Sequence, residues 1–236
     1  MVELITYSDP NRMILARIAA EYLSKPDITN AKRPLQLLRR GHTSIFRHVT
    51  VTFHFRTSLV VRDHLFRYTT AAMAAAGLRI NTAQTFIDPV LPATQADQQS
   101  AIHQAGMAAL HNYTTLIHEN SIRMQDARYA VPCGVEVSYI MTFNFLTLMQ
   151  AVFPQRLWEP GAQAETRETV QQMWDLVVAQ DASLWETARD KFGPEAIRWE
   201  HARGWLKRHH PDLWDQLLAT LPALKSMWDG QEPPNT

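Results

Sequence analysis

One cysteine, Cys133, occurs in the 236 residues, so an intramolecular disulfide is impossible. A reducing compartment fits, and the cytoplasm is the expected location. Net charge is also missing: Lys+Arg and Asp+Glu both number 23. With no overall electrostatic footprint, neither a nucleic acid nor a membrane surface is expected as a partner. An anionic ligand must then be held by a local group of arginines. No uncharged apolar run reaches the ~18 residues of a membrane span. The N-terminus "MVELITYSDPN" lacks the basic segment and apolar core of a signal peptide. Several motifs are absent too: there is no Gly-rich phosphate loop, no G-x-S-x-G, no Cys-x-x-Cys and no H-E-x-x-H. Ten histidines invite a metal, but His42 and His48 do not share a helix face, and His209-His210 reads as a solvated turn. No metal site is expected. Cys133 follows Pro132 with no nearby His or Lys, and reads as a buried structural thiol.

Hydrophobic residues make up 46% and charged residues 19%, an ordinary globular balance. "NRMILARIAAEYLS" has helical spacing at Ile14, Ile18 and Tyr22. "RPLQLLRRG" reads as a short helix with Pro34 in its first turn and Gly41 just past its end. The period then becomes two: Val49, Val51, Phe53 and Phe55 alternate with polar residues, as in a half-buried strand. "TSLVVRDHLFRY" reads as helix, and residues 81–92 as loop with a short strand at "QTFI". A long helical pattern runs from Ala93 to Arg128, with Ile102, Ala105, Ala109, Tyr113, Leu116 and Ile117 on one face. "VEVSYIMTFNFLTLMQAVF" is apolar nearly all round and predicts a buried central helix ended by Pro154. Two more helices are expected over Gln163 to Gln180 and Pro211 to Met227, then a frayed tail. With no repeat or linker, the expectation is one α+β domain over residues 1–236: a small antiparallel sheet with several long helices.

Three segments carry a more specific signal. The first is "RGHTSIFRHVTVTFHFRTS", with Gly41-His42, Ser44, Phe46 and His48 before the strand. The second is "RYTTAAMAAAGLR", thirteen positions from Arg67 to Arg79. The third, from Ala127 to Glu168, has Arg128, Pro132, Asn144, Arg156, Ala162-Gln163 and Glu165. In order and spacing they resemble the flavin-dependent thymidylate synthases over about residues 40–170, with one extra residue between Gln155 and Gln163. That family's signature reads R-H-R-x-x-S-x-N-E-x-S-x-R. Here Tyr68 and Thr69 replace its His and Arg, Ala72 and Gly77 its serines, and Ala74-Ala75 its Asn-Glu pair. The family's acidic residue before the second His is Arg47 here. Only the bracketing arginines remain.

The resemblance implies a thymidylate synthase-complementing-like fold and a homotetramer with active sites shared between subunits. It implies FAD, NADPH and methylenetetrahydrofolate. The flavin would meet His42, Ser44, Arg67, Tyr68, Thr69, Asn144 and Gln150. The nucleotide would meet His64, Arg67, Ala75, Ala76, Gly77, Arg79, Arg128 and Arg156. Arg156 matches the residue that stabilises negative charge on the uracil ring, with Gln155 as its alternative because of the extra residue. Arg79 and Arg128 match phosphate ligands, for which guanidinium is suited. Taken singly, His42 also reads as a helix-end residue, Asn144 as a satisfied core polar group and Arg128 as a complement to a helix dipole. The alanines leave room beside the sugar, which implies a C5 methylase of UMP and also dUMP, of the kind found in nucleoside-antibiotic pathways. The alternatives are a conventional thymidylate synthase acting on dUMP and a non-catalytic flavin- or nucleotide-binding homologue.

Overall fold

Alternating side chains build the sheet at the centre of the fold. In the computed structural model, which describes residues 1–75, 90–91 and 96–220, four antiparallel strands lie in the order β1-β2-β4-β3. They are β1 (Val2–Tyr7), β2 (Thr50–Ser58), β3 (Ala72–Ala75) and β4 (Glu136–Asn144). In β2, Val51, Phe53 and Phe55 are buried; in β4, Val137, Tyr139, Met141 and Phe143 are buried. Their partners on the open face form polar pairs between strands: the Thr52 and Thr142 hydroxyls at 2.9 Å, and His54 Nε2 with Ser138 Oγ at 2.8 Å.

β4 corrects the expected central helix. Odd positions from Val135 to Phe143 are apolar and even positions from Glu136 to Asn144 are polar except Ile140. That one isoleucine masks a period of two and makes the segment look apolar all round. β1 and β3 are also strands that the sequence pattern does not announce. β3 makes Ala72–Ala75 of the signature segment an edge strand among the described residues, pairing Ala72 with Thr142 and Ala75 with Tyr139.

The helices are α1 (Met13–Tyr22), α2 (Arg33–Arg40), α3 (Leu59–Leu65), α4 (Ala96–His118), α5 (Met124–Ala127) and α6 (Phe145–Thr147). α7 (Ala164–Gln180), α8 (Ala182–Phe192), α9 (Pro194–His209) and α10 (Pro211–Thr220) complete those among the described residues. Gly41 closes α2 at φ 91°, where its own N–H bonds the Leu38 carbonyl and the His42 N–H bonds that of Leu37. The long helix is shorter than its pattern and breaks before α5. Its buried positions are Gly106, Leu110 and Tyr113, while Ile102 is 42% exposed. Cys133 is exposed, contrary to the buried thiol expected, because it lies in the turn that precedes β4. The strand expected at "QTFI", the tail, and the far end of the helix expected to reach Met227 lie outside the described residues.

Pro154 does not end a helix. α6 continues as two π-helical stretches, Leu148–Val152 and Pro154–Trp158, and the proline sits in the first turn of the second. A π turn holds one more residue than an α turn, so it absorbs a one-residue insertion without shifting the residues beyond it. Aromatic rings support it from behind: Phe153 meets Trp174 edge-on at 5.2 Å and Trp185 at 5.7 Å.

The chain divides into two compact units, Met1–Gly193 and Pro194–Thr236. The first holds the sheet and its helices. In the second, α9 and α10 pack together, with the Lys207 ammonium 4.9 Å from the centre of the Trp214 ring.

Candidate functional site

Both central strands run directly into helices, and the site forms where the segment after α3 meets the junction that follows β4. At the end of β2, Ser58 caps α3, its Oγ accepting from the Val61 N–H. Glu165, at the start of α7, then accepts from both Ser58 N–H (2.9 Å) and Ser58 Oγ (2.7 Å). At the end of β4, Asn144 caps α6 by accepting from the Thr147 N–H at 2.8 Å. The antiparallel register puts these junctions at opposite ends of the sheet, with Ser58 paired to Glu136 and Thr50 to Asn144. The seven residues of α3 lead the chain back, and Thr70 lies 2.6 Å from Thr147, hydroxyl to hydroxyl.

Two neighbouring features result. One is a cavity of about 420 Å³ lined by Arg47, Arg67, Tyr68, Thr69, Thr70, Asn144, Leu146, Thr147, Gln150 and Ala151. Five of the seven residues expected to meet a cofactor are thus brought together: Arg67, Tyr68, Thr69, Asn144 and Gln150. The other is a hydrogen-bonded group around Tyr68 and Arg156. Arg156 Nε donates to Tyr68 Oη at 3.0 Å, and Tyr68 Oη donates to Gln155 Oε1 at 3.3 Å. His64 Nδ1 lies 2.8 Å from Thr166 Oγ1, which donates to Gln163 Oε1 at 3.0 Å. Since that hydroxyl has spent its only proton on Gln163, it accepts from His64, which therefore carries hydrogen on Nδ1.

Electrostatics favour a neutral His64. Partial desolvation lowers its pKa, and the charges of Arg156 and Arg67 push the same way. Burial raises the Tyr68 pKa against the influence of Arg156, so the phenol stays protonated. Among the described residues, no carboxylate forms an ion pair with Arg156.

His42 and Ser44 stand apart from this cavity. The His42 Nδ1 pairs with the Tyr22 hydroxyl at 3.2 Å, and Ser44 lines a different groove with Arg17, Glu21, Tyr22 and His48. Arg128 is exposed on the short 3-10 turn after α5, and no described contact joins it to the Tyr68 group. Ala75 is the exposed last residue of β3. Ala76, Gly77 and Arg79 lie outside the described residues. Arg47, in sequence only a departure from the family pattern, lines the cavity. Thr166 joins the site without having stood out in the sequence. Its signal is weak, a threonine one turn into a helix, three residues after Gln163.

No curated protein matches the chain. Among solved structures, it is similar to the UMP/dUMP methylase PolB from Streptomyces cacaoi bound with 5-Br dUMP. The TM-score is 0.66 at 20% identity, covering 82% of this chain and 96% of that one. The same methylase bound with 5-Br UMP gives a TM-score of 0.63 at 20% identity, covering 82% and 95%. These likenesses establish the fold, a small antiparallel sheet among helices. The sequence profile described as thymidylate synthase complementing protein matches residues 3–181, and the chain belongs to that family.

Proposed function

We propose that the protein methylates C5 of a uracil nucleotide, UMP and also dUMP. Methylenetetrahydrofolate would be the one-carbon donor, NADPH the reductant and FAD the flavin. The observation that carries this reading is Arg156: a half-buried guanidinium, tied at Nε and free of any described carboxylate, one tyrosine away from a polar cavity. Making C5 nucleophilic puts negative charge on the ring carbonyls, and a fixed cation stabilises that charge. Family membership supports the chemistry. The similar methylase is described with both 5-Br UMP and 5-Br dUMP, which supports the substrate class.

The cavity suits a flavin dinucleotide by its donor set. Arg47 and Arg67 match a pyrophosphate, and the Asn144 and Gln150 amides match the polar edge of a ring system. When bound, reduced flavin supplies the reducing equivalents and carries the one-carbon unit, so no side-chain nucleophile is required. The chain's own residues bind and orient. Arg156 holds the carbonyl edge of the uracil, and neutral His64, fixed by Thr166, contacts the nucleotide. Arg128 and Arg79 bind phosphate, Arg128 from a neighbouring subunit of a homotetramer, since it does not reach the Tyr68 group within its own chain.

The test is incubation of the protein with methylenetetrahydrofolate, FAD and NADPH and either UMP or dUMP. Nucleotide mass and tritium release from the 5-tritiated substrates are then measured. A methylated product and release from UMP are expected. Release from dUMP alone makes the protein a conventional thymidylate synthase. No release from a protein that binds flavin makes it a non-catalytic homologue.

A further inference from the structure

We propose that Tyr68 is the positioning residue for Arg156, a neutral tether that fixes the guanidinium without neutralising it. This rests on the reading of Arg156 as the cation that faces the uracil ring. A phenol has one proton to give and lone pairs to accept with. Tyr68 uses both on consecutive residues of one π turn: it accepts from Arg156 Nε at 3.0 Å and donates to Gln155 Oε1 at 3.3 Å. The Arg156 Cζ also lies 5.9 Å from the centre of the tyrosine ring, within reach of its negative face. The side chain is thereby held at Nε, and the two terminal nitrogens are left for a ligand.

The chemistry of the tether matters. A carboxylate at the same place would hold Arg156 as firmly but would cancel its charge, the property an enolate needs. A phenol kept protonated by burial fixes the guanidinium and adds no charge. Tyr68 also lines the 420 Å³ cavity, so one ring separates that cavity from Arg156. The signature position usually held by histidine has therefore taken on a different task, which ties the signature segment to the π turn.

The test compares wild type with Tyr68→Phe, which keeps the ring and removes the hydroxyl. Turnover of UMP is expected to fall about 10- to 100-fold in kcat, the scale of one lost transition-state contact. KM for the nucleotide should change little, as should FAD affinity. A second readout needs no turnover. The N3 proton of 5-bromo-UMP is more acidic than that of UMP, and its anion resembles the enolate charge. Ultraviolet titration of the bound nucleotide should show ionisation at lower pH than in solution, with that preference reduced about tenfold in Tyr68→Phe. Arg156→Lys keeps the charge but lacks Nε. It also lacks the paired terminal nitrogens, so it should lose at least as much, and adding Tyr68→Phe to it should cost nothing more. If the buried Tyr68→Phe fails to fold, the exposed Gln155→Leu, which removes the acceptor of the phenol proton, takes its place and should show a smaller loss of the same kind. Unchanged kcat and unchanged N3 ionisation in Tyr68→Phe, or in Gln155→Leu where it stands in, overturn the proposal, as does a loss confined to FAD affinity. If wild type binds 5-bromo-UMP and shifts its ionisation but methylates nothing, the tether stands and the methylase reading falls. If wild type does not bind 5-bromo-UMP, both fall.

Discussion

Asn144 has two tasks that different substitutions separate. Its Oδ1 caps α6, and its side chain lines the cavity. Replacing an N-cap asparagine by alanine costs about 1 kcal/mol, so Asn144→Ala should lower Tm by about 2–4 °C. Asn144→Asp keeps the acceptor and should recover that stability. Both should weaken FAD, because neither offers an amide to the cavity; differential scanning fluorimetry and flavin titration separate the two effects. His64 makes a prediction about pH. Its folded pKa lies below the ordinary value of 6.5, so the unfolded chain binds a proton that the folded chain resists. Stability therefore falls as pH drops below 6.5 and recovers above it. His64→Gln removes that titration, and the loss of Tm between about pH 7.5 and about pH 5.5 should be smaller in the variant. An equal loss in both proteins would show that His64 does not contribute.

The π-helical stretches are the element on which the site turns. They place Gln150, Gln155 and Arg156 on a widened helix directly after the Asn144 cap. Deleting Ala151, from the first stretch, should let that turn relax to an ordinary α turn without shifting the residues beyond it. The variant should keep its helical circular dichroism, because the aromatic rings behind the helix still have partners. Arg156 should keep Tyr68, and turnover of UMP should change less than ~10-fold. A loss of more than ~100-fold would mean that the widened turn itself is needed to place Arg156. The sequence reveals the extra residue near Gln155 but not the device that absorbs it, since π bonding depends on tertiary support rather than residue type. β2 is legible because its alternation is strict. β4 is not, because Ile140 fills a polar slot on the open face. β3 is not, because alanine favours helix in isolation and only the pairing with β4 makes it extended. Within the site, Arg67, Asn144 and Gln150 are readable from matched spacing. Arg47 and Thr166 are not, because only folding shows which face of the chain they share.

At the scale of the whole molecule, subunit exchange and truncation test how the parts combine. If Arg128 serves a neighbouring subunit's site, Arg128→Ala and Arg156→Ala proteins should each be inactive alone. Mixed by reversible dissociation, they should regain part of the activity, since some sites then receive both arginines. Light scattering should give a mass of four chains. No recovery in a mixed tetramer would assign each site to one chain. The family profile ends at residue 181, and the first compact unit at Gly193. A chain stopped after Gly193 should therefore retain its cooperative unfolding and its flavin binding.

The seam between the ends of that unit also sets the order of its assembly. The Val2 N–H donates to Gln172 Oε1 at 2.9 Å, Trp185 Nε1 donates to the Tyr7 hydroxyl at 2.9 Å, and the Arg12 guanidinium lies 3.1 Å from the Asp181 carboxylate. The first strand is thus covered by the last helices of its unit. On the ribosome, β1 emerges long before α7 and α8 exist, and contacts of such sequence separation form late. Until then, the outer side of β1 waits uncovered, and synthesis of α7 and α8, rather than of the sheet, times the closure of the unit.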